Sequence, residues 1–263
     1  TPDDVRASFD REIAFLMTYF KMNIDINPFS FILCTSHKKV LPKTGMDSLC
    51  PGHTSTRNRR KTTMELKNSI TKENLMRAFA GESQARNRYT MAASQARKNQ
   101  LAVVEAVFTF TANQEREHAE IFYKHLTALA EKNISIDGNY PVDISQDVAK
   151  LLRFAEKNEM EEHDDVYKAF EEKAREEGFA EIAASFHMIG KIEKTHGERF
   201  RLLAQMLESN TLFVSEIETS WMCLKCGNIY AGLQVPEKCP VCGHDRGYYI
   251  RLELLPCAVN QTV

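Results

Sequence analysis

The chain has 263 residues, 43% of them apolar and 27% charged, with only 11 Gly and 8 Pro, which excludes collagen-like and low-complexity classes and argues against wholesale disorder. The formal net charge of −2 gives no overall electrostatic footprint for nucleic acid. The longest apolar run, residues 13–20, is far shorter than the about 20 residues of a membrane-spanning helix, so no membrane segment is predicted.

Residues 1–63 differ from the rest of the chain in charge and pattern. They hold ten Lys and Arg against six Asp and Glu, and residues 54–63 look like a solvated basic linker. Acidic residues precede their apolar run, where a secretory signal would carry basic ones. We interpret this segment as an irregular appendage, and favour a non-native prefix or a mis-assigned start over a targeting extension. Its Cys34 and Cys50, with two nearby histidines, match no common metal-ligand spacing.

Residues 64–210 carry the periodicity of four long helices. Their inward positions recur at alternating spacings of four and three, which keeps one face of each helix turned to its neighbours. These stripes run along residues 75–96, 104–129, 148–169 and 182–207, with Arg86 and Ala169 among their members. Four such faces predict a four-helix bundle.

The connections predict how the bundle is threaded. Helices one and two are joined near residues 98–101, and helices three and four turn around Gly178, a good helix stop. The segment between helices two and three, residues 131–144, is long enough to cross the bundle. Two antiparallel hairpins with one long crossover are the ferritin-like arrangement, so the predicted fold is mainly α.

Each inward stripe is interrupted near its middle by acids or imidazoles. The residues are Glu82, Glu115, His118, Glu159, Glu162, Glu193 and His196. A single Glu-x-x-His pair commonly arises by chance. Burying an unpaired carboxylate costs several kcal/mol, however, so seven acids and imidazoles in one buried layer need cations. Two Glu-x-x-His pairs with glutamates from the other helices match the bundle di-iron pattern. One imidazole per metal among many oxygens suits iron or manganese better than structural zinc.

Other polar residues near these stripes are predicted to lie outside the site. Glu117 and Glu120 fall off the stripe of Glu115, and Glu161 and His163 flank Glu162 but point elsewhere. His125 lies two turns beyond His118 and is predicted to be a hydrogen-bonded core residue.

Residues 218–257 form a short, turn-rich segment with two Cys-x-x-Cys pairs. The pairs are Cys223/Cys226 and Cys239/Cys242, separated by twelve residues. A glycine follows each pair and permits the left-handed turn behind a metal-binding knuckle. Four thiolates predict a tetrahedral site for zinc or one iron. The total of seven cysteines indicates a reducing compartment, and few basic residues accompany the aromatic ones, which disfavours nucleic-acid binding.

Three sequence features resemble rubrerythrins over about residues 64–255: FAGESQARNRY at 79–89, QEREH at 114–118 and the paired cysteine motif. The resemblance implies a ferritin-like di-iron domain and a small β-rich rubredoxin-like domain with one iron on four cysteines, a site that zinc can fill in recombinant protein. It implies reduction of hydrogen peroxide to water in a cytoplasmic, head-to-tail homodimer. Electrons would come from an NAD(P)H-dependent reductase, directly or through a rubredoxin.

The resemblance also assigns a role to each site residue by position. The iron carboxylates are Glu82, Glu115, Glu159 and Glu193. Glu115 and Glu193 bridge the irons, and His196 binds one of them. The other iron exchanges ligands, with Glu162 bound in the oxidised state and His118 in the reduced state. Tyr89 and Tyr167 are expected to hydrogen-bond ligand carboxylates.

Three other classes of function remain open at this point. A ferroxidase or iron-handling ferritin-like protein would use the same bundle but would need neither Glu162 nor an attached electron carrier. An oxygen-activating di-iron enzyme would need a pocket for its substrate. A non-catalytic binding protein would hold zinc on the cysteines and use the bundle as a scaffold.

Overall fold

The computed structural model describes residues 64–255. The predicted appendage at 1–63 and the end of the cysteine-rich segment, residues 256 and 257, lie outside the described residues. The helices are α1 (Ile70–Lys98), α2 (Ala102–His125), α3 (Val148–Glu161), α4 (Tyr167–Glu176) and α5 (Ala180–Glu208). The strands are β1 (Val214–Cys223), β2 (Ile229–Gln234) and β3 (Tyr249–Arg251). Within 64–255, every helix is too short or too polar to span a membrane.

The predicted bundle with a long crossover is confirmed. α1 packs along α2, and α3 and α4 together pack along α5. The tight turn after α1 places Gln100 at φ +58°, and the turn before α5 places Gly178 at φ +90°, a conformation that glycine adopts without strain. The segment between α2 and α3 crosses the bundle, so the two hairpins have the ferritin-like order.

Helix starts follow from side chains that accept hydrogen bonds from free backbone N–H groups. Ser69 caps α1, its hydroxyl oxygen lying 3.1 Å from the nitrogen of Lys72. Asp147 caps α3 through a bond of 2.9 Å from the nitrogen of Ala149. These caps fix where each helix begins and therefore which side chains face the bundle interior.

The bundle core consists of two apolar clusters with the polar layer between them. One cluster contains Phe108 and Phe200, and the other contains Phe122 and Phe186, all four fully buried. Along each helix the glutamates and histidines of the layer lie between members of the two clusters. Each buried Phe contributes about 1.5–3 kcal/mol, so the flanking clusters offset the burial of the polar layer.

The third long helix departs from the predicted regular helix. A π-helical turn at Glu162–Val166 separates α3 from α4. The wider turn shifts the inward face, so that Tyr167 and Ala174 are buried while Ala169 is exposed. The prediction that Ala169 faces inward is therefore wrong, because a constant helical period misses the inserted residue.

The first helix departs from prediction at one position. Arg86 is exposed, and Ala85 lies in the core instead. The spacing of 3.6 residues per turn allows either position near the interior. The small Ala packs there without desolvating a guanidinium, so the prediction of an inward Arg86 is wrong.

The cysteine-rich segment forms a small antiparallel sheet with strand order β2-β1-β3. Trp221 and Tyr249 are its fully buried centre. The sheet packs directly on the bundle, because Ile250 belongs to the bundle's first apolar cluster. The contact is close: a Cβ built on Gly247 would lie 1.9 Å from the carbonyl oxygen of Gln100. The predicted small β-rich addition to a helical bundle is confirmed.

Glu177 ties the start of α1 to the turn before α5. Its carboxylate accepts hydrogen bonds from the nitrogens of Ile70 (3.0 Å) and Thr71 (2.8 Å) and from the Thr71 hydroxyl (2.6 Å). Partial burial opposes ionisation, but the hydrogen bonds from Thr71 and Ile70 outweigh it and lower the pKa of Glu177.

We expect Glu177→Gln to destabilise the protein by about 1–2 kcal/mol at pH 7. Because the folded-state pKa is depressed, this contribution is present above the unfolded pKa of about 4.3 and is lost as pH falls through the folded value. Urea unfolding at pH 7 and at pH 3 measures the difference between the two proteins. The control Glu176→Gln, at an exposed carboxylate, should change little. A difference as large at pH 3 as at pH 7 would contradict the assignment.

Candidate metal centres

Six of the seven predicted residues form a buried layer in the middle of the bundle. They are Glu82, Glu115, His118, Glu159, Glu193 and His196, none more than 5% exposed. They make two overlapping groups. The first is Glu82, Glu115, His118 and Glu193, and the second is Glu115, Glu159, Glu193 and His196. One ligand atom from each member lies within 4.8 Å of the others, and the two glutamates shared by both groups are those predicted to bridge.

The two groups are arranged alike around the two imidazoles. His118 Nδ1 lies 2.9 Å from Glu193 Oε1, 3.1 Å from Glu115 Oε2 and 3.8 Å from Glu82 Oε2. His196 Nδ1 lies 2.9 Å from Glu193 Oε2, 3.0 Å from Glu115 Oε1 and 3.5 Å from Glu159 Oε2. Each shared carboxylate therefore offers one oxygen to each group, as a carboxylate does when it bridges two cations.

The ionisation of these groups reflects crowding of negative charge without water. Burial raises the pKa values of Glu82 and Glu159 well above normal, and neighbouring carboxylates add to the effect. Burial also opposes ionisation of Glu115, but the adjacent imidazoles of His118 and His196 prevail and lower its pKa to about 2. Against burial, carboxylates raise the pKa of His118 to about 9 and that of His196 to about 12. The layer therefore attracts positive charge.

The donor atoms fit a pair of cations. Several fully buried atoms lie close together but lack a hydrogen-bond partner: Glu82 Oε2, Glu115 Oε1, Glu159 Oε2, both oxygens of Glu193 and His196 Nδ1. Buried polar atoms without partners are costly and rare in native proteins. Cations bound between them would satisfy these atoms, and oxygen-rich donors with one imidazole per cation suit iron.

Two tyrosines hold the carboxylates that belong to one group only. Tyr89 donates its hydroxyl hydrogen to Glu159 Oε1, and Tyr167 donates to Glu82 Oε1. Burial, with the adjacent carboxylates, raises the pKa of both phenols, so they keep their protons. In each glutamate Oε1 accepts the hydrogen bond from the tyrosine, and Oε2 faces the ligand group. These are the tyrosine–carboxylate hydrogen bonds that the resemblance implies.

Gln114 contacts the site and was not among the predicted residues. Its Oε1 lies 3.1 Å from His196 Nε2. An amide oxygen accepts a hydrogen bond, so Gln114 favours a proton on Nε2, and Nδ1 is then the nitrogen that would bind a cation. The signal in the sequence is its place directly before Glu115, in the quoted QEREH run, but periodicity does not reveal a partner on another helix.

The structure does not bring Glu162 into either group. It lies in the π-helical turn, half-buried, on the wall of a cavity of about 180 Å³ that Arg88 and Tyr167 also line. Burial and nearby carboxylates raise the pKa of Glu162 well above its normal value. The charge of Arg88 opposes this shift but is the smaller effect. The cavity also contacts the exposed residues Asn139 and Tyr140 of the crossover, so it opens to the protein surface.

The residues predicted to lie outside the site do so. Glu117, Glu120 and Glu161 are exposed. His163 Nδ1 lies 2.7 Å from the carbonyl oxygen of Gly190, and His163 belongs to neither ligand group. The hydrogen bond predicted for His125 is also present. Its Nε2 lies 2.9 Å from the hydroxyl oxygen of Ser185.

The four cysteines of the sheet form a second cluster. They are Cys223, Cys226, Cys239 and Cys242, all free thiols within 4.8 Å of one another. The sulfur–sulfur distances are 3.8 Å for Cys223 and Cys242 and 3.6 Å for Cys226 and Cys239. A tetrahedral metal with bonds of about 2.3 Å to sulfur separates its ligands by about 3.8 Å. The cluster therefore fits one metal ion.

The two halves of the cysteine cluster share one backbone design. Gly227 and Gly243 both have φ +74°. Their nitrogens donate to the carbonyl oxygens of Cys223 (2.8 Å) and Cys239 (2.9 Å). Burial opposes ionisation of Cys239, but hydrogen bonds from Tyr249 and backbone N–H groups lower its pKa to about 6. A thiol with a depressed pKa is ready to bind a metal as the thiolate.

Two family models match the two parts of the chain that contain these clusters. The family model for rubrerythrin matches residues 73–204, and that for the rubrerythrin rubredoxin-like domain matches residues 221–250. The rubrerythrin of Clostridium perfringens is 42% identical over 185 residues, covering 70% of this chain and 95% of that protein. The rubrerythrin of Porphyromonas gingivalis is 40% identical over 193 residues, covering 73% and 95%. A solved structure of fully reduced nigerythrin is 25% identical, covering 79% of this chain and 100% of that chain, with a TM-score of 0.48.

Proposed function

The chain belongs to the rubrerythrin family, and on that premise we propose that it is a peroxidase that reduces hydrogen peroxide to water. Membership makes it an iron-dependent oxidoreductase, with two non-haem irons on the glutamates and histidines of the bundle and one iron on the four cysteines. The bundle at 64–210 is the catalytic domain, and the segment at 218–257 delivers electrons to it.

One observation carries the choice of peroxidase: a fifth glutamate, Glu162, lies outside the two ligand groups in a chain that also holds a one-electron carrier. A ferroxidase would need neither feature. The cavity beside Glu162 has room for a small reactant such as peroxide, but not for a large organic substrate. This supports the peroxidase over an oxygenase.

The reaction consumes one hydrogen peroxide, two electrons and two protons and yields two waters. When bound, the two irons supply one electron each and polarise the peroxide oxygens. Glu115 and Glu193 would hold both cations, because each directs one oxygen into each group. The apolar clusters on either side exclude water from this layer.

Glu162 and His118 share one position in the proposed cycle. His118 lies inside the first group and Glu162 lies on the cavity wall, so the two side chains are placed to alternate at one cation position. Glu162 would take the place of His118 in the oxidised site, because an anionic oxygen suits Fe(III) better than an imidazole nitrogen does. Tyr89 and Tyr167 keep the other carboxylates in place during this exchange.

The electron source and assembly follow from the family resemblance. We place an NAD(P)H-dependent reductase upstream of the cysteine iron, acting directly or through a rubredoxin. The chain is proposed to work as a head-to-tail homodimer in the cytoplasm, as part of protection against oxidative stress.

The iron-loaded protein, reduced without oxygen and mixed with stoichiometric peroxide, tests the proposal. We expect the visible absorption of the ferric tetrathiolate centre to return rapidly, and much faster than with dioxygen, because the bundle site draws electrons from the cysteine iron. Slow return, or faster return with dioxygen, would favour a ferroxidase or an oxygenase. A native protein without this absorption would indicate zinc on the cysteines and a structural role.

A further inference from the structure

Arg88 has a free hydrogen-bonding nitrogen beside the cavity that Glu162 lines. Its Nε donates to Gln84 Oε1 at 2.7 Å, and its Nη1 lies 2.5 Å from Asp143 Oδ2. The side chain is only 14% exposed. Nη2 is fully buried and has no hydrogen-bond partner. A buried charged donor without an acceptor is costly, and the established ligand set does not account for it.

The other arginine that lines this cavity is fully engaged. Arg77 donates through Nε to Asp137, through Nη1 to Asn74 and through Nη2 to Glu73 and Asp137. Both arginines thus carry positive charge at the same cavity. Only Arg88 keeps a nitrogen without an acceptor, so it alone of the two can receive a carboxylate without giving up another contact.

Arg88 is also held in place from the crossover side. Asp143, 14% exposed, accepts from Arg88 and from Asn158 Nδ2 at 2.6 Å. Asn158 directly precedes the ligand glutamate of α3, so the crossover, α1 and α3 meet at this cluster. The guanidinium is therefore fixed rather than free to follow a moving partner.

We propose that Arg88 is a positioning residue that receives the Glu162 carboxylate through Nη2 when Glu162 leaves the iron on reduction. A carboxylate that leaves a metal inside a protein must be protonated or paired, because an isolated buried charge is unstable. Arg88 provides the partner and so favours the reduced arrangement, in which His118 occupies the iron position. This inference rests on the ligand exchange of the proposed function.

The predicted consequence is a change in reduction equilibrium. In each direction the site takes up or gives up one electron per iron, and Glu162 moves between iron and cavity. Without Arg88 the cavity position is less favourable, so reduction becomes harder. For Arg88→Gln we expect the reduction equilibrium of the bundle site to fall about tenfold, or 59 mV for a one-electron step.

A redox titration with dithionite, followed by the absorption of both centres, measures this effect without peroxide. The potential of the cysteine iron is an internal reference and should not move. Arg77→Gln is the matched control, since it removes an equal charge from the same cavity, and we expect a much smaller shift. Arg88→Lys keeps the charge and a contact with Asp143 but loses the fork, and should shift the potential in the same direction by less.

An unchanged potential in Arg88→Gln, or equal shifts in Arg88→Gln and Arg77→Gln, would overturn the proposal. If Arg88→Gln fails to hold iron, Arg88→Lys decides: a wild-type potential in that variant would assign Arg88 to anchoring the crossover alone. If the protein reacts slowly with peroxide but the reduction potential of the bundle site still falls in Arg88→Gln, the proposed function is refuted and this inference is not.

Discussion

Replacing Glu193 by Gln is expected to lower peroxide turnover by at least about 100-fold and to remove iron from the bundle. Glu193 Oε1 and Oε2 lie 2.9 Å from the imidazoles of His118 and His196, one oxygen to each group. A glutamine has nearly the same volume but offers a single acceptor and no charge. The substitution therefore removes the shared ligand from both cation positions at once.

The iron-to-protein ratio and the peroxide turnover measure this effect together. The visible absorption of the cysteine iron should persist in Glu193→Gln, because that cluster lies in the separate sheet. Glu198→Gln, at an exposed position five residues further along α5, is the matched control and should behave as wild type. Full iron content with normal turnover in Glu193→Gln would show that the buried layer is not the site of the reaction.

The ligand layer could be predicted from sequence because helical spacing determines which residues share a face. Glu115 and His118 are three apart, as are Glu193 and His196, so each pair projects from one side of its helix. Their burial between apolar residues is equally periodic. The cysteine cluster was predictable for a similar reason, since two short motifs fix four sulfurs with little dependence on the rest of the fold.

Features that depend on contacts between distant segments could not be predicted in this way. The π-helical turn at Glu162–Val166 interrupts the helical period without a glycine or proline to mark it. Arg88 and Asp143 are 55 residues apart, and their contact depends on the path of the crossover. Gln114 meets His196 across two helices. Each of these features requires tertiary structure to be recognised.

Glu162→Ala is the second substitution with a large expected effect, a fall in peroxide turnover of about 10- to 100-fold with both irons retained. Glu162 lies outside both ligand groups, so its removal leaves the two shared carboxylates and both imidazoles in place. In the proposed cycle, the variant loses the anionic ligand of the oxidised site. Its reoxidation by peroxide should slow, and its ferric state should be less stable.

Single-turnover mixing of the reduced, iron-loaded variant with peroxide measures the rate directly. Glu161→Ala removes an adjacent, exposed carboxylate that also lines the cavity, and it should leave the rate unchanged. Comparing the two separates the specific position of Glu162 from the general charge of the cavity mouth. Wild-type turnover in Glu162→Ala would mean that His118 remains bound throughout the cycle. The seventh residue would then have no part in the reaction, and a ferroxidase with an attached electron carrier would explain the chain better.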